Sequence, residues 1–344
     1  MTEVSDSTAS FDHRQTAHCE SGTAAALLRH NGLDLSEPMV FGLSCALTFA
    51  YIPLLKVSGQ PLLSYRMPPG RIIKGLSKRL GIDFEFKRFN NLQAGQQTLD
   101  LHLQAQRPVG MQTSVYWLPY FPPNMRFHFN AHNIVAFGRE QQNYLISDPT
   151  FEDIQRIDAP ALSRARFVKG MLAPKGLLYY PKNIPDHIDY PRVISASIQS
   201  TCNMMLRTPV PFFGVRGIRH VAKKIARMSS EKQHDNNLFL GHIVRMQEEI
   251  GTGGAGFRFL FSSFLQESSK VLNFPELSQA ANNFSLAGDE WRRFALFTAK
   301  MLKNRESFNY QKLADQLDLV ANRESEGYKK LDQLIKRYSK KAFG

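Results

Sequence analysis

The sequence has only three cysteines in 344 residues, Cys19, Cys45 and Cys202, and no Cys-x-x-Cys pair. So few thiols cannot form the disulfide framework of a small secreted protein, and they indicate a reducing compartment. The first thirty residues contain four acidic side chains and no basic segment followed by an apolar run, so no secretory signal is expected. The expectation is a cytoplasmic protein.

Charge is lacking from residues 38–55, a stretch of 18 residues. That length reaches the threshold for a transmembrane helix. Two prolines, a glycine and several polar side chains interrupt the stretch. We therefore expect a buried helix or loop that packs against the preceding helix, and no transmembrane segment.

A complete nucleotide-binding motif is also lacking. The glycine-rich residues 251–256 precede a helical pattern, but they have no Lys-Ser/Thr pair and no strand leads into them. Two uses of this loop stay open. It is either a tight turn between packed helices or a set of backbone amides that binds the phosphate of a pantetheine arm.

Basic residues outnumber acidic ones by 43 to 30, which gives a net charge of +13. Such a chain attracts nucleic acid, anionic membranes and acidic proteins. The excess is spread over both halves without a nucleic-acid motif, so solvated helix faces explain most of it. A nucleic-acid partner is not expected.

The hydrophobic pattern predicts an α+β fold. After a helix that begins near Cys19, strand-like alternation occurs at residues 82–86, 108–117, 133–137, 143–147 and 177–180, and helical spacing dominates beyond residue 181. The predicted organisation is a loose leader over residues 1–17, a catalytic domain over 18–183 and a mostly helical domain over 190–344.

Three side chains form a candidate catalytic set. Cys19 opens a helix, where the positive end of the helix dipole favours a thiolate. His132 begins a strand, and Asp148 ends the strand that returns from a short hairpin, so both are expected at neighbouring strand ends. A carboxylate there fixes the imidazole tautomer and favours the imidazolium.

A metal site is the competing use of these residues. His128 and His132 have the spacing that chelates zinc on a helix, but in an extended segment they lie about 13 Å apart at roughly 3.3 Å per residue. His18 and Cys19 together with His132 stay open as a ligand set. No metal is the expectation.

Several segments together carry a family resemblance. Residues 18–23, 31–43 and 117–120, the strand at His132 and residues 147–149 resemble, in this order, the N-terminal domain of the butirosin-biosynthesis BtrH family. Residues 251–258 and 264–267 are similar to the helical domain that often follows it. The resemblance covers most of residues 15–305.

The resemblance implies a papain-like cysteine domain, similar to C39 peptidases, that works as an acyltransferase. By position it implies Cys19 as nucleophile, His132 as base and Asp148 as its partner. Gln15 and His18 are both candidates for the oxyanion hole. Glu37 matches a Ser-Glu element that is either structural or amine-binding, and Tyr116 and Tyr120 are candidate substrate-binding residues.

The expected function is transfer of an acyl group from a phosphopantetheine thioester through Cys19 to an amine. No bound cofactor is expected; the expected partners are an acyl carrier protein or acyl-CoA and a small-molecule amine. The oligomeric state is left open, a homodimer included. The alternatives are a cysteine peptidase or amidase, and a non-catalytic scaffold that binds a carrier protein.

Overall fold

A computed structural model of the chain describes residues 7–57, 59–250 and 253–344. The first part of the chain forms, in order, β1 (Ser7–Thr8), α1 (Cys19–His30), α2 (Glu37–Leu43), β2 (Leu47–Val57), β3 (Gln60–Arg66), α3 (Arg71–Leu80), β4 (Asp83–Lys87), α4 (Leu92–Gln104), β5 (Val109–Thr113), β6 (His132–Glu140), β7 (Asn143–Ser147), β8 (Gln155–Asp158), α5 (Ala159–Phe167) and β9 (Leu178–Asn183). The remainder forms the helices α6 (Tyr190–Arg207), α7 (Gly214–Ala226), α8 (Gln233–Glu248), α9 (Arg258–Val271), α10 (Glu276–Leu302) and α11 (Tyr310–Phe343).

This order confirms the predicted α+β class, with the strands in the first part and helices after it. The strands β4, β7 and β9 lie close to their predicted positions. The helical spacing predicted beyond residue 181 corresponds to six helices among the described residues, α6 to α11. None of the helices that the structure describes is long and apolar enough to cross a membrane.

The described chain divides into two compact units. The first comprises the residues up to Val40 and Ile72–His187, and the second comprises Phe41–Arg71 and Ile188–Gly344. Residues 41–71 were predicted to belong to the first domain. They fall in the second unit because the uncharged stretch at 38–55, which was expected to be a helix or loop, continues from α2 into β2. That strand pairs with β3 as a separate hairpin that contacts α7.

The segment before α1 differs from the loose leader predicted over residues 1–17, of which residues 1–6 lie outside the described part. β1 pairs with β6, and the Thr16 amide donates to the Pro149 carbonyl at 2.9 Å. The ring of His13 contacts Ser147 Oγ at 2.7 Å and the Phe151 carbonyl at 3.2 Å. Such polar contacts fix a segment without the hydrophobic periodicity from which a sequence is interpreted.

The first unit is built on a seven-stranded antiparallel sheet. Its main path runs β4-β9-β5-β6-β7-β8, and β1 pairs with the far end of β6. One face packs on α4 and α5 through a core that includes Leu99, Met111, Ile134, Ile146 and Leu162. Side chains alternate between faces along a strand, and the intervening residues of β6 are also buried. The contacts of α1 with β5, β6 and β9 place this helix against the sheet.

The second unit contains a buried ion pair between α9 and α11. Arg258 Nε donates to Glu324 Oε1 at 2.7 Å, and both side chains are fully buried. Trp291 Nε1 donates to the same oxygen at 2.7 Å. A buried charge is tolerated only when it is paired and hydrogen-bonded in this way.

The glycine-rich loop lies next to this ion pair, although Gly251 and Thr252 fall outside the described residues. Gly256 has a φ of +54°, and a Cβ there would overlap the ring of Tyr65. The Ala255 amide already donates to the Glu248 carboxylate, at 3.1 Å to Oε2. These contacts favour the tight-turn interpretation of the loop over phosphate binding, because a carboxylate occupies an amide that a phosphate would need.

Candidate active site

Cys19 is the first residue of α1, and its side chain is half-buried. His18 precedes it with extended backbone (φ −141°), and its Nδ1 accepts a hydrogen bond from the Ser21 amide at 3.3 Å. A histidine cap therefore begins the helix at this residue. The thiol lies at the end of α1 where the helix dipole favours negative charge.

His132 and Asp148 lie side by side because of the β6–β7 hairpin. The register pairs Val135 with Ser147, so the start of β6 comes beside the residues that follow β7. His132 Nε2 contacts Asp148 Oδ2 at 2.7 Å, and the two residues are 5% and 0% exposed. Since Nε2 is engaged by Asp148, the ring nitrogen that remains for the Cys19 thiol is Nδ1.

The electrostatics of the three groups favour an ion pair. Burial works to lower the pKa of His132, but the charge and hydrogen bond of Asp148, together with a hydrogen bond to Cys19 and its charge, raise that pKa to about 10. Burial works to raise the pKa of Asp148, and the His132 imidazolium outweighs it, so that pKa is lowered. A charged imidazole at neutral pH stabilises a thiolate beside it.

The two candidate substrate-binding tyrosines occupy different places. The Tyr120 hydroxyl donates to Asp148 Oδ2 at 3.0 Å, so this side chain supports the carboxylate that orients His132. Phe121 packs edge-on against the His132 ring, with the ring centroids 5.5 Å apart. Tyr116 is exposed and stacks on His128, with centroids 4.2 Å apart. The structure thus joins Tyr120 to Asp148, whereas the ring contacts of Tyr116 are with His128 and Trp117.

Glu37 binds the backbone just ahead of the nucleophile. Its Oε1 accepts from the His18 amide at 2.8 Å and its Oε2 from the Ala17 amide at 2.8 Å. The Ser21 hydroxyl donates to Oε1 at 2.9 Å. Burial raises the pKa of this carboxyl against those three hydrogen bonds. These contacts favour the structural role of Glu37 over the amine-binding one.

The two candidate oxyanion donors are also placed by local contacts. Gln15 is exposed, and its Nε2 donates to the Thr150 carbonyl at 3.1 Å. The Thr150 amide in turn donates to Asp148 Oδ1 at 3.0 Å. Gln15 is therefore connected to Asp148 through Thr150. His18 is buried, and its Nδ1 accepts the hydrogen bond that caps α1. This contact favours a structural role for His18 over the role of oxyanion donor.

The metal alternative depended on His18, Cys19, His128 and His132. His128 stacks on Tyr116, and His132 binds Asp148. Among residues 7–57, 59–250 and 253–344, no group of three or more His, Cys, Asp or Glu side chains could hold a metal ion.

Two further buried side chains near Cys19, those of Glu20 and Asn133, were not predicted from the sequence. Glu20 Oε1 accepts from the Ile72 amide at 2.9 Å, which anchors the start of α1 to the start of α3. Asn133 Nδ2 lies 4.0 Å from Cys19 Sγ. Their only sequence signal is that they adjoin Cys19 and His132.

Gly22 allows α1 to lie close to the turn that carries Asp148. A Cβ at this position would overlap Thr16 Oγ1 and lie 2.9 Å from Pro149 Cβ. Pro149 directly follows Asp148, so this close approach brings the helix of Cys19 to the residue that orients His132. The absence of a side chain at position 22 is therefore a requirement of the site.

We expect Gly22→Ala to destabilise the protein although alanine favours a helix. Alanine gains about 1 kcal/mol in helix propensity, whereas overpacking a rigid neighbour costs about 1–3 kcal/mol. The free energy of unfolding and the rate of Cys19 alkylation should both fall. Gly241→Ala in α8 is the control, because the nearest atom to its Cβ would be 3.8 Å away. Equal stability and alkylation of Gly22→Ala and the native protein would contradict the packing argument.

Comparison with known proteins gives two family matches. The model of the "Domain of unknown function (DUF4872)" matches residues 160–331, half of the chain, and that of "Butirosin biosynthesis protein H, N-terminal" matches residues 18–149. The chain belongs to the BtrH-like family and carries a DUF4872 domain. The resemblance seen in the sequence is thereby confirmed. The BtrH-like match includes Cys19 and His132 and ends one residue after Asp148.

The BtrH-like chain also has solved structural neighbours. A crystal structure of a Bacillus anthracis protein, proposed to be a C39-like peptidase, aligns with 53% of this chain and 100% of its own. The sequence identity is 13% and the TM-score is 0.35. No curated protein matches the chain. The family match and the placement of His132 and Asp148 near Cys19 support a cysteine-type enzyme.

Proposed function

We propose that this protein is a cysteine acyltransferase that moves an acyl group from a phosphopantetheine thioester to an amine. The observation that carries the proposal is the buried His132–Asp148 pair beside the thiol of Cys19. An imidazole held charged by a carboxylate keeps the thiol ionised, and a thiolate attacks a thioester readily. The family's link to butirosin biosynthesis supports a biosynthetic transfer.

The first step exchanges one thioester for another. The Cys19 thiolate attacks the acyl carbonyl carbon, a bond from carbon to Cys19 Sγ forms, and the bond to the pantetheine sulfur breaks. The His132 imidazolium gives its proton to the departing pantetheine thiolate. The acyl-enzyme and a neutral imidazole remain, and the exchange is nearly balanced because both species are thioesters.

The second step forms the amide. The amine attacks the acyl-enzyme carbonyl, His132 accepts the proton from nitrogen, and Cys19 leaves as a thiolate. The thiolate and the imidazolium are thereby restored. Amide formation from a thioester is favourable, so the cycle needs no ATP. The net charge of +13 supports an acidic carrier protein as the donor.

The second candidate function is hydrolysis, in which water replaces the amine. The geometry of Cys19, His132 and Asp148 supports hydrolysis equally, because the same nucleophile and base serve whether water or an amine attacks the acyl-enzyme.

The third candidate function is that of a catalytically inactive scaffold that binds a carrier protein. The hydrogen-bonded pair of His132 and Asp148 argues against it, because a scaffold does not need an oriented histidine.

Intact-protein mass spectrometry tests the proposal. The protein is incubated with an acyl carrier protein that bears octanoyl-phosphopantetheine, and in parallel with octanoyl-CoA. We expect the native protein to gain the mass of one acyl group and Cys19→Ala to gain none. Cys45→Ala is the matched control, since Cys45 is also half-buried but lies in the second unit.

The acceptor is decided in the same experiment. Primary amines are added after acylation, and the released product is analysed. An amide supports the transferase, and free acid with every amine supports the hydrolase. A mass gain that persists in Cys19→Ala, or no gain in the native protein with either donor, would contradict the proposed nucleophile.

A further inference from the structure

The side chain next to His132 on β6 also faces the nucleophile. Asn133 is 1% exposed, and its Nδ2 lies 4.0 Å from Cys19 Sγ, the outer range of an N–H···S contact. Consecutive side chains of a strand point to opposite faces. Asn133 therefore approaches Cys19 from a different side than His132.

The orientation of the Asn133 amide is fixed by its other contacts. Its Nδ2 also donates to the Ala131 carbonyl at 3.1 Å, and a carbonyl oxygen can only accept. The nitrogen must therefore be on the side of Ala131 and Cys19, with one hydrogen for each. The oxygen, Oδ1, accepts from the Tyr179 hydroxyl at 2.8 Å.

Tyr179 is held as a permanent donor to that oxygen. Burial, and then the charges of Glu20 and Cys19, raise the pKa of Tyr179 well above its usual value, so its hydroxyl stays protonated. Its ring covers Gly110 on the neighbouring strand β5, and a Cβ at position 110 would overlap the ring. A glycine at this register position thus makes room for the tyrosine that orients Asn133.

We propose that Asn133 donates an amide hydrogen to the Cys19 thiolate and that Tyr179 is the positioning residue that aims it. The inference rests on the proposed function only in taking Cys19 as the nucleophile. A hydrogen bond to an ionised acceptor is stronger than one to a neutral acceptor. Asn133 therefore favours the thiolate over the thiol, and it stabilises the sulfur again when Cys19 leaves the acyl-enzyme.

Asn133 has no proton to gain or lose, so its effect differs from that of the titratable groups around Cys19. Those groups come from α1 and the residue before it, from α2, from β6 and β9, and from the turn after β7. They are His18, Glu20, Glu37, His132, Tyr179 and Asp148. Replacing Asn133 should raise the pH at which Cys19 ionises. The number of titration steps in the plot of alkylation rate against pH should stay the same.

The test is the pH dependence of Cys19 alkylation by iodoacetamide, which needs no substrate. In Asn133→Ala we expect the alkylation midpoint to rise by about one pH unit, the effect of one hydrogen bond to a charged group. Asn133→Asp should raise it further, because a carboxylate then faces the thiolate. Tyr179→Phe should raise it by less, since the amide is retained but is no longer aimed.

Tyr180→Phe is the matched control. Tyr180 follows Tyr179 on β9 and packs in the core on the opposite face of the sheet. The midpoint of Cys19 alkylation in Tyr180→Phe should therefore equal that of the native protein. Circular dichroism reports whether each variant folds. If Asn133→Ala fails to fold, Tyr179→Phe decides the outcome, because its loss of one hydroxyl leaves the packing intact.

The two proposals fail in different ways. A native midpoint near that of an ordinary thiol, about pH 8.5, would remove the activated nucleophile and with it the proposed function. A low native midpoint that is unchanged in Asn133→Ala, or in Tyr179→Phe where the alanine variant does not fold, would overturn the role of Asn133 and leave the proposed function standing.

Discussion

In His132→Gln, the midpoint for alkylation of Cys19 by iodoacetamide should rise toward the value of an ordinary thiol, about pH 8.5, and stay below it because the helix dipole and Asn133 remain. The native protein should react at lower pH, because the His132 imidazolium stabilises the thiolate. Glutamine offers an amide at this position but no positive charge. The ultraviolet absorbance of the thiolate should show the same change without any reagent.

The pKa of His132 sets the highest pH at which the ion pair between Cys19 and His132 exists. Its pKa is raised to about 10, so the ring stays charged below that pH and loses its proton above it. The native thiolate should therefore be paired with an imidazolium from its own ionisation up to about pH 10. Above this, the reaction should show a second step that is missing in His132→Gln.

His128→Gln provides the control for the histidine substitution. His128 stacks on the exposed Tyr116, with the ring centroids 4.2 Å apart. Its alkylation profile should match the native one, and its acyl transfer should be unchanged.

His132→Gln should reduce acyl transfer by roughly 10²–10⁴-fold, the range of general acid–base catalysis. A native-like profile in His132→Gln would mean that another group ionises Cys19.

The parts of the site that were predicted from the sequence are those fixed by local structure. A cysteine at the start of a helical pattern, and a histidine and an aspartate at two ends of one hairpin, are set by short stretches of chain. The hairpin loop is short, so the register between β6 and β7 has little freedom. The contact of 2.7 Å between His132 and Asp148 follows from it.

The parts that were not predicted depend on contacts between distant segments. Tyr120 reaches Asp148 across 28 positions, and Tyr179 reaches Asn133 across 46. Glu37 binds amides about 20 residues earlier in the chain. Hydrophobic periodicity does not indicate polar contacts between distant residues, because each of these side chains by itself is typical of a loop or a strand. The β2–β3 hairpin was missed for a related reason, because an uncharged run does not distinguish a strand from a buried helix.

The carboxylate of Asp148 is the acceptor for three donors. Oδ2 accepts from His132 Nε2 and the Tyr120 hydroxyl, and Oδ1 accepts from the Thr150 amide. A backbone amide can only donate, so an asparagine here would place its oxygen toward Thr150. Its NH₂ group would then face His132 Nε2, where the native protein has an acceptor.

Asp148→Asn should therefore reverse the tautomer of His132. With a donor at Nε2, that nitrogen must accept, and the proton of the neutral ring moves to Nδ1, which faces Cys19. Such a ring cannot accept a proton from Cys19 or from an amine. We expect acyl transfer to fall by about 10⁴-fold, as is typical when an aspartate that orients a catalytic histidine becomes asparagine.

Tyr120→Phe is the control for Asp148→Asn, because it removes one hydrogen bond to the Asp148 carboxylate and keeps the carboxylate itself. Asp148 stays charged in this variant and keeps its contacts with His132 and Thr150, so acyl transfer should fall by less than about tenfold. Nitrogen-15 NMR measures the tautomer once the ring is neutral, which needs a pH above about 10 where Asp148 is intact. A proton on Nε2 in Tyr120→Phe and a proton on Nδ1 in Asp148→Asn are the expected signatures. If Asp148→Asn stays within tenfold of the native rate with Nε2 still protonated, the carboxylate is not what orients His132, and the Cys19 thiolate must depend on the helix dipole and on Asn133 instead.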